Sequence, residues 1–557
     1  MILRINQIKR WLATRDKELA VLAAITLVGL VVRWMCAVGT ALPDDGGYAS
    51  ILKGLVEGSY PSIGRVGQSE FRPAWLLPIA ASLRLLGWTA HGLALYPIVT
   101  GGFIPLLTGL WLRRHLCRGS QGPVLCAVIL ACYPVLFVDS LMWVNEMPLI
   151  FWCLLCVIFF GSAYSRLVDS PPAAPKRLSW IGFSFLSGAA FAAAYQVKVL
   201  GIPMLGIWLL TEFLLLVVHL GWPPQKHWAA LALASLVFLL PALGVQLFYQ
   251  AKTGHFFGNI SAELRIYDAR LPPDYLSGNV RLHDVLVKYF EQLFFPSGPV
   301  GFQVFLHGIW AWVALGLGTV AAILWRWLPA HERAVAFVFL CSALALFLFI
   351  EFWPFRLKPY YLPILFDGRP WRYPDILAPP IAAFTAVILT LPRVFDRWIL
   401  GALRCCLLAA CFGICGYCLV VRYYIFEDYT SDYRRAAVAT TTSLKYYWRL
   451  GQIMDYDGCG QFGETLGWPD KTTFQPSHTR FLDLRNSPPV CIWTGGARRE
   501  GMNADSAWSP DRLQVLGGDV VLIHTFDGFR RPWRSGLLQL WLVRPKTADS
   551  HELQRQP

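Results

Sequence analysis

The chain has 557 residues, of which 55% are hydrophobic and only 15% are charged, whereas soluble proteins carry about a quarter charged residues. Long apolar runs produce this bias, which excludes a soluble globular protein and indicates a polytopic helical membrane protein. The net charge of +14 does not indicate a nucleic-acid partner, because the basic residues are spread over loops and tail. Membrane lipids are the expected partners of these charges, and no nucleic acid is expected.

Eleven apolar runs are long enough to cross a bilayer as helices. They lie at residues 18–40, 90–112, 121–138, 146–165, 179–197, 199–220, 228–250, 302–325, 334–353, 374–392 and 398–421. A further apolar segment, 73–88, has only about 16 residues and carries Arg84, so we expect a juxtamembrane helix there rather than a crossing. The first run follows a basic segment and is long enough to stay as an anchor rather than act as a cleaved signal peptide.

Loop length and charge predict the orientation. Short basic loops remain in the cytoplasm, so the N-terminus is expected in the cytoplasm of a plasma (inner) membrane. An odd number of spans then places the C-terminus outside. The predicted architecture is a transmembrane domain, 1–421, with outer loops 41–89, 251–301 and 354–373, followed by a soluble extracytoplasmic domain, 422–557.

The tail is expected to form its own domain. It is polar and punctuated by Gly, Pro and Asp, it is long enough for a core, and it has strand-like runs at 519–525 and 537–545. The predicted fold class is therefore an α-helical membrane bundle with an α/β C-terminal domain. Cys459 and Cys491 are the cysteines of the tail, and an isolated pair in an oxidising compartment suits a disulfide.

Adjacent carboxylates follow the first apolar run. Asp44 and Asp45 are costly so near hydrocarbon, which makes them candidates for a functional site. Tyr48, Ile51, Leu52 and Leu55 then recur at helical spacing and predict an amphipathic helix on the membrane surface. The alternative role for the acids is to cap that helix and compensate its dipole.

A third acid and several cations fall on the same predicted side. Glu146 opens the fourth run, with Asp139 as a companion seven residues earlier, and Lys198 occupies the tight turn between the fifth and sixth runs. Arg72 precedes the juxtamembrane helix, and Arg372 and Tyr373 open the tenth run.

Acids and cations on one face suit a reaction on a lipid phosphate. Cations hold the phosphate, and an acid accepts a proton from the nucleophile. The alternative roles are ordinary ones: a carboxylate at a helix start, and cations that anchor span ends or extend towards water. His255 and His283 could ligate a metal with Glu146 or Asp44, but no ligand spacing supports such a site.

The first outer loop resembles that of GT-C glycosyltransferases, in particular the bacterial relatives of protein O-mannosyltransferases, the aminoarabinose transferases of lipid A and the arabinosyltransferases. The residues that carry the resemblance are Asp44-Asp45-Gly46-Gly47-Tyr48-Ala49, Lys53-Gly54-Leu55-Val56-Glu57-Gly58, Tyr60-Pro61 and Phe71-Arg72-Pro73. Two elements depart from the family pattern: Ala74 replaces a second Pro, and Asn145-Glu146 stands where many relatives have Ser-Asp or Pro-Asp.

The resemblance implies a polyprenyl-phosphate-linked monosaccharide as donor, an inverting transfer, and a glycan, lipid or protein acceptor. It implies Asp44 as general base, Asp45 as a residue that orders the loop or the acceptor, and Glu146 as a residue that helps to bind sugar or acceptor. Tyr48, Arg72, Lys198, Arg372 and Tyr373 would bind the donor and its phosphate. No cofactor is required by the sequence, although the wider superfamily includes members that use a divalent cation.

Two other functions compete with this one. A transporter or flippase of lipid-linked sugars would also need a charged cavity, but it should show internal repeats and acids deeper in the membrane. A non-catalytic scaffold of an envelope assembly complex would use the tail as a docking module.

Overall fold

The computed structural model describes most of the apolar part of the chain and three strands of the tail. The described residues are 2–37, 51–52, 54–56, 58, 72–87, 89–116, 120–169, 178–199, 201–223, 225–257, 312–319, 321–323, 325, 329–352, 354–356, 362–363, 373–389, scattered residues of 402–417, 490–494, 518–526 and 538–545. Seven helices among them are long and apolar enough to cross a membrane: Lys17–Met35, His91–His115, Glu146–Val168, Ser179–Val197, Gly201–Leu220, Trp228–Ala251 and Ala330–Ile350.

The helices are α1 (Ile2–Met35), α2 (Pro73–Leu86), α3 (Ala90–His115), α4 (Gly122–Ala131), α5 (Pro134–Asp139), α6 (Glu146–Asp169), α7 (Leu178–Val197), α8 (Gly201–Leu220), α9 (Trp228–Thr253), α10 (Ala330–Phe352) and α11 (Ala378–Leu389). From α2 to α9 the helices follow one another with connections of fewer than ten residues. Short 3₁₀ turns, Gln225–His227 and Tyr373–Leu377, precede α9 and α11. The strands are β1 (Pro354–Arg356), β2 (Leu362–Pro363), β3 (Val490–Thr494), β4 (Gly518–Phe526) and β5 (Leu538–Pro545).

Seven predicted spans coincide with the seven long helices. The predicted span 121–138 is wrong as one helix, because α4 ends at Ala131 and α5 begins at Pro134. Proline lacks an amide hydrogen and clashes with the preceding turn, so it ends one helix and starts another. Predicted spans 302–325 and 374–392 contain only the shorter helices Trp312–Ile323 and Asp375–Leu389 in the described residues. The total of eleven spans therefore stays a prediction.

The chain divides into two compact units. One comprises residues 1–37, 61–81 and 94–422, and the other comprises 38–60, 82–93 and 423–557. In the second unit, β3, β5 and β4 form an antiparallel sheet in that order. The strands predicted at 519–525 and 537–545 are confirmed by β4 and β5. The described tail residues are all strand, so the helical part of the expected α/β domain is not established by them.

The first unit is a layered helical bundle. Every residue of α11 is buried, and α11 packs against α4 and α10 at the centre. By contrast, none of the apolar window of α9 is buried inside the protein, although α9 packs along α7. An apolar helix left uncovered by protein is expected to face lipid.

Glycines let the outer helix α1 approach the bundle closely. A methyl group at Gly102 of α3 would overlap Leu30, and one at Gly109 would meet Leu22, so both leucines of α1 fill notches on one face of α3. These notches are seven residues apart, which is two turns of a helix. Small residues at helix interfaces are the usual way in which membrane helices gain packing energy.

A buried charge cluster joins three helices at one end of the bundle. Glu212 of α8 is 0% exposed; its Oε1 accepts a bond of 2.9 Å from Arg114 Nη1, and its Oε2 lies 2.7 Å from both Trp111 Nε1 and His115 Nε2. Arg114 Nη2 also donates to Ser162 Oγ of α6 at 2.8 Å. Because every charge is compensated locally, the cluster can lie among apolar helices.

The same end holds the start of the apolar span of α1, at Lys17, and the start of α10. Glu18 of α1 is 3.2 Å from Arg113 Nε, and His331 Nε2 at the start of α10 is 2.7 Å from the carbonyl oxygen of His115. We call this the Glu212 end. Since α6 runs from Glu146 to Ser162 over about 24 Å at 1.5 Å per residue, Glu146 defines the opposite, Glu146 end.

Replacing Glu212 by Gln should lower the free energy of unfolding by about 3 kcal/mol, because Arg114 would keep a charge without its buried carboxylate. The measurement is thermal unfolding in detergent micelles. The matched control is Glu18→Gln, since the Glu18–Arg113 pair is partly exposed and such pairs contribute less than about 1 kcal/mol. Equal losses of unfolding free energy in both variants would contradict the conclusion that Glu212 makes the main stabilising contacts at this end.

Candidate functional site

A buried ion pair lies at the Glu146 end. Lys198 Nζ is 2.9 Å from Glu146 Oε1, and the two residues are 7% and 2% exposed. They are 52 positions apart in sequence. A buried pair adds little to stability compared with apolar residues of the same size. Ionisable groups retained inside a membrane helix bundle therefore indicate function.

Local sequence explains how the pair forms. Glu146 occupies the first turn of α6, where a carboxylate is favoured by the helix dipole and Pro148 is tolerated. Lys198 lies in the turn between α7 and α8, where Gly201 N donates to Lys198 O at 2.9 Å. A methyl group at Gly201 would overlap Leu149 of α6. The missing side chain thus lets the turn pack against the first turn of α6, beside Glu146.

The segment that leads into Glu146 is anchored by α1. Arg33, which is 1% exposed, donates from Nε to Ser140 Oγ at 2.8 Å, and its guanidinium lies 5.1 Å from the centre of the Phe137 ring. Residues 140–145 connect α5 to α6. A buried cation of the first span is therefore tied to the connection that carries Glu146.

Arg72 lies at the start of α2 and near the same connection. Its carbonyl oxygen accepts hydrogen bonds from the amides of Trp75 and Leu76, at 3.0 and 2.9 Å, which begin the helix. The rings of Trp75 and Trp143 have centroids 6.2 Å apart, and Trp143 precedes Glu146 by three residues. Arg72 itself is buried.

Two linked hydrogen bonds hold the first turn of α2 against neighbouring helices. Tyr96 of α3 donates from its hydroxyl to Ala74 O at 3.0 Å, and Trp152 Nε1 of α6 donates to the same hydroxyl at 2.9 Å. Three helices are thereby joined beside Arg72. The arrangement holds the start of α2 against the Glu146 end.

Two further carboxyl groups are buried in the bundle, and both aspartates are 0% exposed. Asp139 ends α5, next to Ser140 and the connection that leads to Glu146. Asp375 belongs to the 3₁₀ turn that packs against α6 and α10.

The Glu146 end therefore combines cations and acids in a setting of low dielectric constant. Among the described residues they are Arg33, Arg72, Lys198, Asp139 and Glu146. Such cations suit an anionic head group, and carboxyl groups suit proton transfer and hydroxyl binding. No group of three His, Cys, Asp or Glu among the described residues could hold a metal ion.

Solved structures share this architecture. ArnT from Cupriavidus metallidurans in the apo state matches with a TM-score of 0.53 at 14% identity, over 94% of this chain and 97% of that chain. ArnT bound to undecaprenyl phosphate matches with a TM-score of 0.50 at 14% identity over the same shares. The chain has the ArnT fold.

A more distant likeness extends to AglB, the oligosaccharyltransferase of Archaeoglobus fulgidus, in complex with an inhibitory peptide and a dolichol-phosphate. Its TM-score is 0.48 at 12% identity, over 86% of this chain and 69% of that chain. No protein-family model matches the chain, and no curated protein sequence is significantly similar to it. The GT-C resemblance expected from the sequence is confirmed at the level of the fold.

The structure shows where part of the predicted site lies within this ArnT fold, and the role of every predicted site residue stays a prediction. It brings Glu146 and Lys198 together and places Arg72 beside the same connection. The remaining predicted site residues, Asp44, Asp45, Tyr48, Arg372 and Cys459, lie outside the described residues, as do the side chains of Tyr373 and Cys491. Tyr373 begins a 3₁₀ turn and Cys491 belongs to β3. The roles of all these residues stay predictions.

The described part of the predicted surface helix is helical. Residues 51–52 and 54–56 are helical, and Leu52 and Leu55 are buried. Arg84 donates to the carbonyl oxygens of Leu55 and Val56 at the end of this segment. The described residues thus agree with the helical spacing of Leu52 and Leu55, and the position of this helix on the membrane surface stays a prediction.

Sequence reasoning missed three charged residues of the ArnT-like bundle. Arg33 and Glu212 each interrupt an apolar span, and an ionisable residue inside a span was a usable signal. Asp375 had a weaker signal, because it follows Arg372, Tyr373 and Pro374 at a span entrance where polar residues are common.

The Glu146–Lys198 pair should behave as one unit in stability measurements. Glu146→Met or Lys198→Met alone leaves one buried charge uncompensated and should cost about 3–5 kcal/mol in the free energy of unfolding. The double variant should recover most of this loss, since two apolar side chains can replace a buried pair. Thermal unfolding of the three variants in micelles measures the coupling. Additive losses would show that the two side chains do not interact in the membrane.

Proposed function

We propose that this protein is an inverting glycosyltransferase. It would transfer a monosaccharide from a polyprenyl-phosphate-linked donor to an envelope glycan, lipid or protein acceptor. The observation that carries the proposal is the buried Glu146–Lys198 pair, at an end of the ArnT fold where other buried cations and acids collect.

The chemistry of the donor matches the charges at this end. A polyprenyl phosphate keeps its hydrocarbon tail in the bilayer and presents its phosphate at the level of the helix ends, where cations compensate it. ArnT has been solved with undecaprenyl phosphate bound, and the shared fold covers 94% of the present chain and 97% of the ArnT chain. A lipid-linked donor is thus the substrate class that fits both the fold and the buried cations.

The reaction consists of one displacement at the anomeric carbon. The acceptor oxygen forms a bond to C1 of the sugar, and the bond from C1 to the lipid phosphate oxygen breaks. The leaving polyprenyl phosphate takes the electron pair. In this proposal the Asp44 carboxylate accepts the acceptor proton, and Asp45 orders the loop or the acceptor. If the acceptor is already an anion, Asp44 positions it instead.

The cations would stabilise the charge that develops on the leaving phosphate. Lys198, Arg72 and Arg372 are proposed for this role, with Tyr48 and Tyr373 as further donor-binding residues. Lys198 uses one N–H for Glu146, so the ammonium group is oriented before a phosphate binds. A preoriented donor contributes more to the transition state than one that must first reorganise. Glu146 is proposed to help bind the sugar or the acceptor.

The proposal places the Glu146 end on the extracytoplasmic side and the N-terminus in the cytoplasm. Basic residues at the Glu212 end, such as Arg113, Arg114 and Arg166, support this orientation. The Glu212 cluster also joins α3, α6 and α8 at that end. A carrier that opens alternately to both sides would have to separate these groups, so the cluster favours a one-sided enzyme.

Asp44→Asn should leave membrane insertion and thermal unfolding unchanged and lower sugar transfer by at least about 100-fold, the usual contribution of a general base. Transfer is measured with purified protein in liposomes containing the polyprenyl-linked sugars of the source membrane, identified beforehand by mass spectrometry of co-purifying lipids. The control is Glu332→Gln, a carboxylate in the first turn of α10 that should leave transfer unchanged. Full turnover by Asp44→Asn would remove this residue from the mechanism.

Lys198→Ala and Arg372→Ala should weaken binding of undecaprenyl phosphate by about 10-fold or more, because each loses a charge-assisted hydrogen bond to phosphate. Asp44→Asn should change this affinity much less. Binding is measured by titration in micelles, with thermal unfolding as a check on folding. The same affinity in all three variants would refute the phosphate role of the two cations.

A further inference from the structure

Arg33 is an unusual residue for its position. It lies in the membrane span Lys17–Met35 yet is 1% exposed, so its guanidinium is withdrawn from both lipid and water. An apolar residue would pack there at lower cost. A charge kept in this place calls for an explanation in terms of what it contacts.

Residues of α1, α5 and the following connection surround this guanidinium and bind it. Nε donates to Ser140 Oγ at 2.8 Å, and Nη1 donates to Gly29 O at 3.2 Å. The group lies over the ring of Phe137 at 5.1 Å. A methyl group at position 29 would meet Nη1 at 3.0 Å, so glycine one turn earlier makes room for the arginine. Nη2 is buried and has no hydrogen-bond partner among the described residues.

Ser140 connects Arg33 to the ion pair. Its hydroxyl also donates to Phe137 O in α5. On its other side, a methyl group at Gly101 of α3 would overlap Ser140 Cβ and approach Met147. Residues 140–147 are thus held between α1 and α3. Glu146 lies within this segment and meets Lys198 at 2.9 Å.

We propose that Arg33 is a positioning residue of the active site. Through Ser140 it holds the 140–145 connection so that Glu146 is presented to Lys198 and to the substrate. The role of Glu146 in transfer rests on the proposed function, whereas the hold on residues 140–147 does not. Arg33 differs from a residue that only stabilises the fold, because its effect on turnover passes through Glu146.

A double-mutant cycle tests this coupling. Arg33→Gln and Glu146→Gln are each expected to lower kcat/KM, and the double variant should lose no more than Glu146→Gln alone, because there is no longer a carboxylate to position. Arg33→Lys, which keeps the charge and one donor for Ser140, should recover most of the activity. Losses that multiply in the double variant would overturn the proposal, since they would indicate a general effect on folding.

A matched control comes from the other end of α6. Arg166 also lies over a phenylalanine ring, that of Phe183, at 4.6 Å, but it is far from residue 146. Arg166→Gln combined with Glu146→Gln should give a loss equal to the product of the two single losses. If Arg166→Gln behaved as Arg33→Gln does, the coupling would not be specific to Arg33.

Hydrogen exchange provides a readout that does not require turnover. Amides of residues 140–147 should exchange at least about 10-fold faster in Arg33→Gln than in the unaltered protein, and they should be unchanged in Arg166→Gln. If Arg33→Gln does not fold, Ser140→Ala removes the same hydrogen bond and is expected to give the same local increase. Unchanged amide exchange in these variants would overturn the proposal that Arg33 holds residues 140–147 in place. Faster exchange in a protein without transferase activity would reject the proposed function alone.

Discussion

The arrangement of this bundle depends on the compensation of charges buried in an apolar environment. An isolated charge in hydrocarbon is so costly that each one must meet a partner or a hydrogen-bond acceptor. Glu212 meets Arg114 and His115 at one end, and Glu146 meets Lys198 at the other. Glu212 meets cations of the helix α3, Glu146 meets a cation of the α7–α8 turn, and α6 takes part in both clusters through Glu146 and Ser162. The packing of α3, α6 and α8 therefore cannot shift without separating charges.

The two ends use this constraint differently. At the Glu212 end, one carboxylate is surrounded by three side-chain donors, an arrangement that joins helices and leaves little capacity for a ligand. At the Glu146 end, cations and carboxyl groups come from several separate elements, including the end of α5, the α7–α8 turn and the start of α6. Sites built from helix ends and connections are typical of membrane transferases and transporters, because polar groups there can serve a substrate that approaches from bilayer and water. A reaction on one side of the membrane requires such a difference: the Glu212 end is joined by internal hydrogen bonds, whereas the Glu146 end offers polar groups to a substrate.

Glycine decides whether these charges can meet. The side chains of Arg114 and Glu212 pack against α6 at Gly161, where a methyl group would overlap both of them. Gly201 lets the Lys198 turn reach α6, and Gly29 leaves room for Arg33. The space left by the missing side chain is taken by Arg114 and Glu212 at Gly161, by Leu149 at Gly201 and by Arg33 of the same helix at Gly29. Close approach and charge compensation are thus parts of one packing solution in this bundle.

The sequence by itself determined the class of protein, seven of the helices and two strands of the tail, because apolar length and period are local properties. It also indicated Glu146, Lys198 and Arg72 as functional candidates, since charges at span ends are conspicuous. Only the tertiary structure decided that Glu146 pairs with Lys198, that Arg33 donates to Ser140 in the connection before Glu146, and that the turn with Asp375 packs against α6 and α10. These contacts join residues far apart in the chain, and their formation depends on which helices pack together and in what rotation. The helix break at Pro134 was determined partly by the sequence and partly by the tertiary structure. The proline is visible in the sequence, but whether a proline kinks a helix or divides it into two depends on the residues that pack around it.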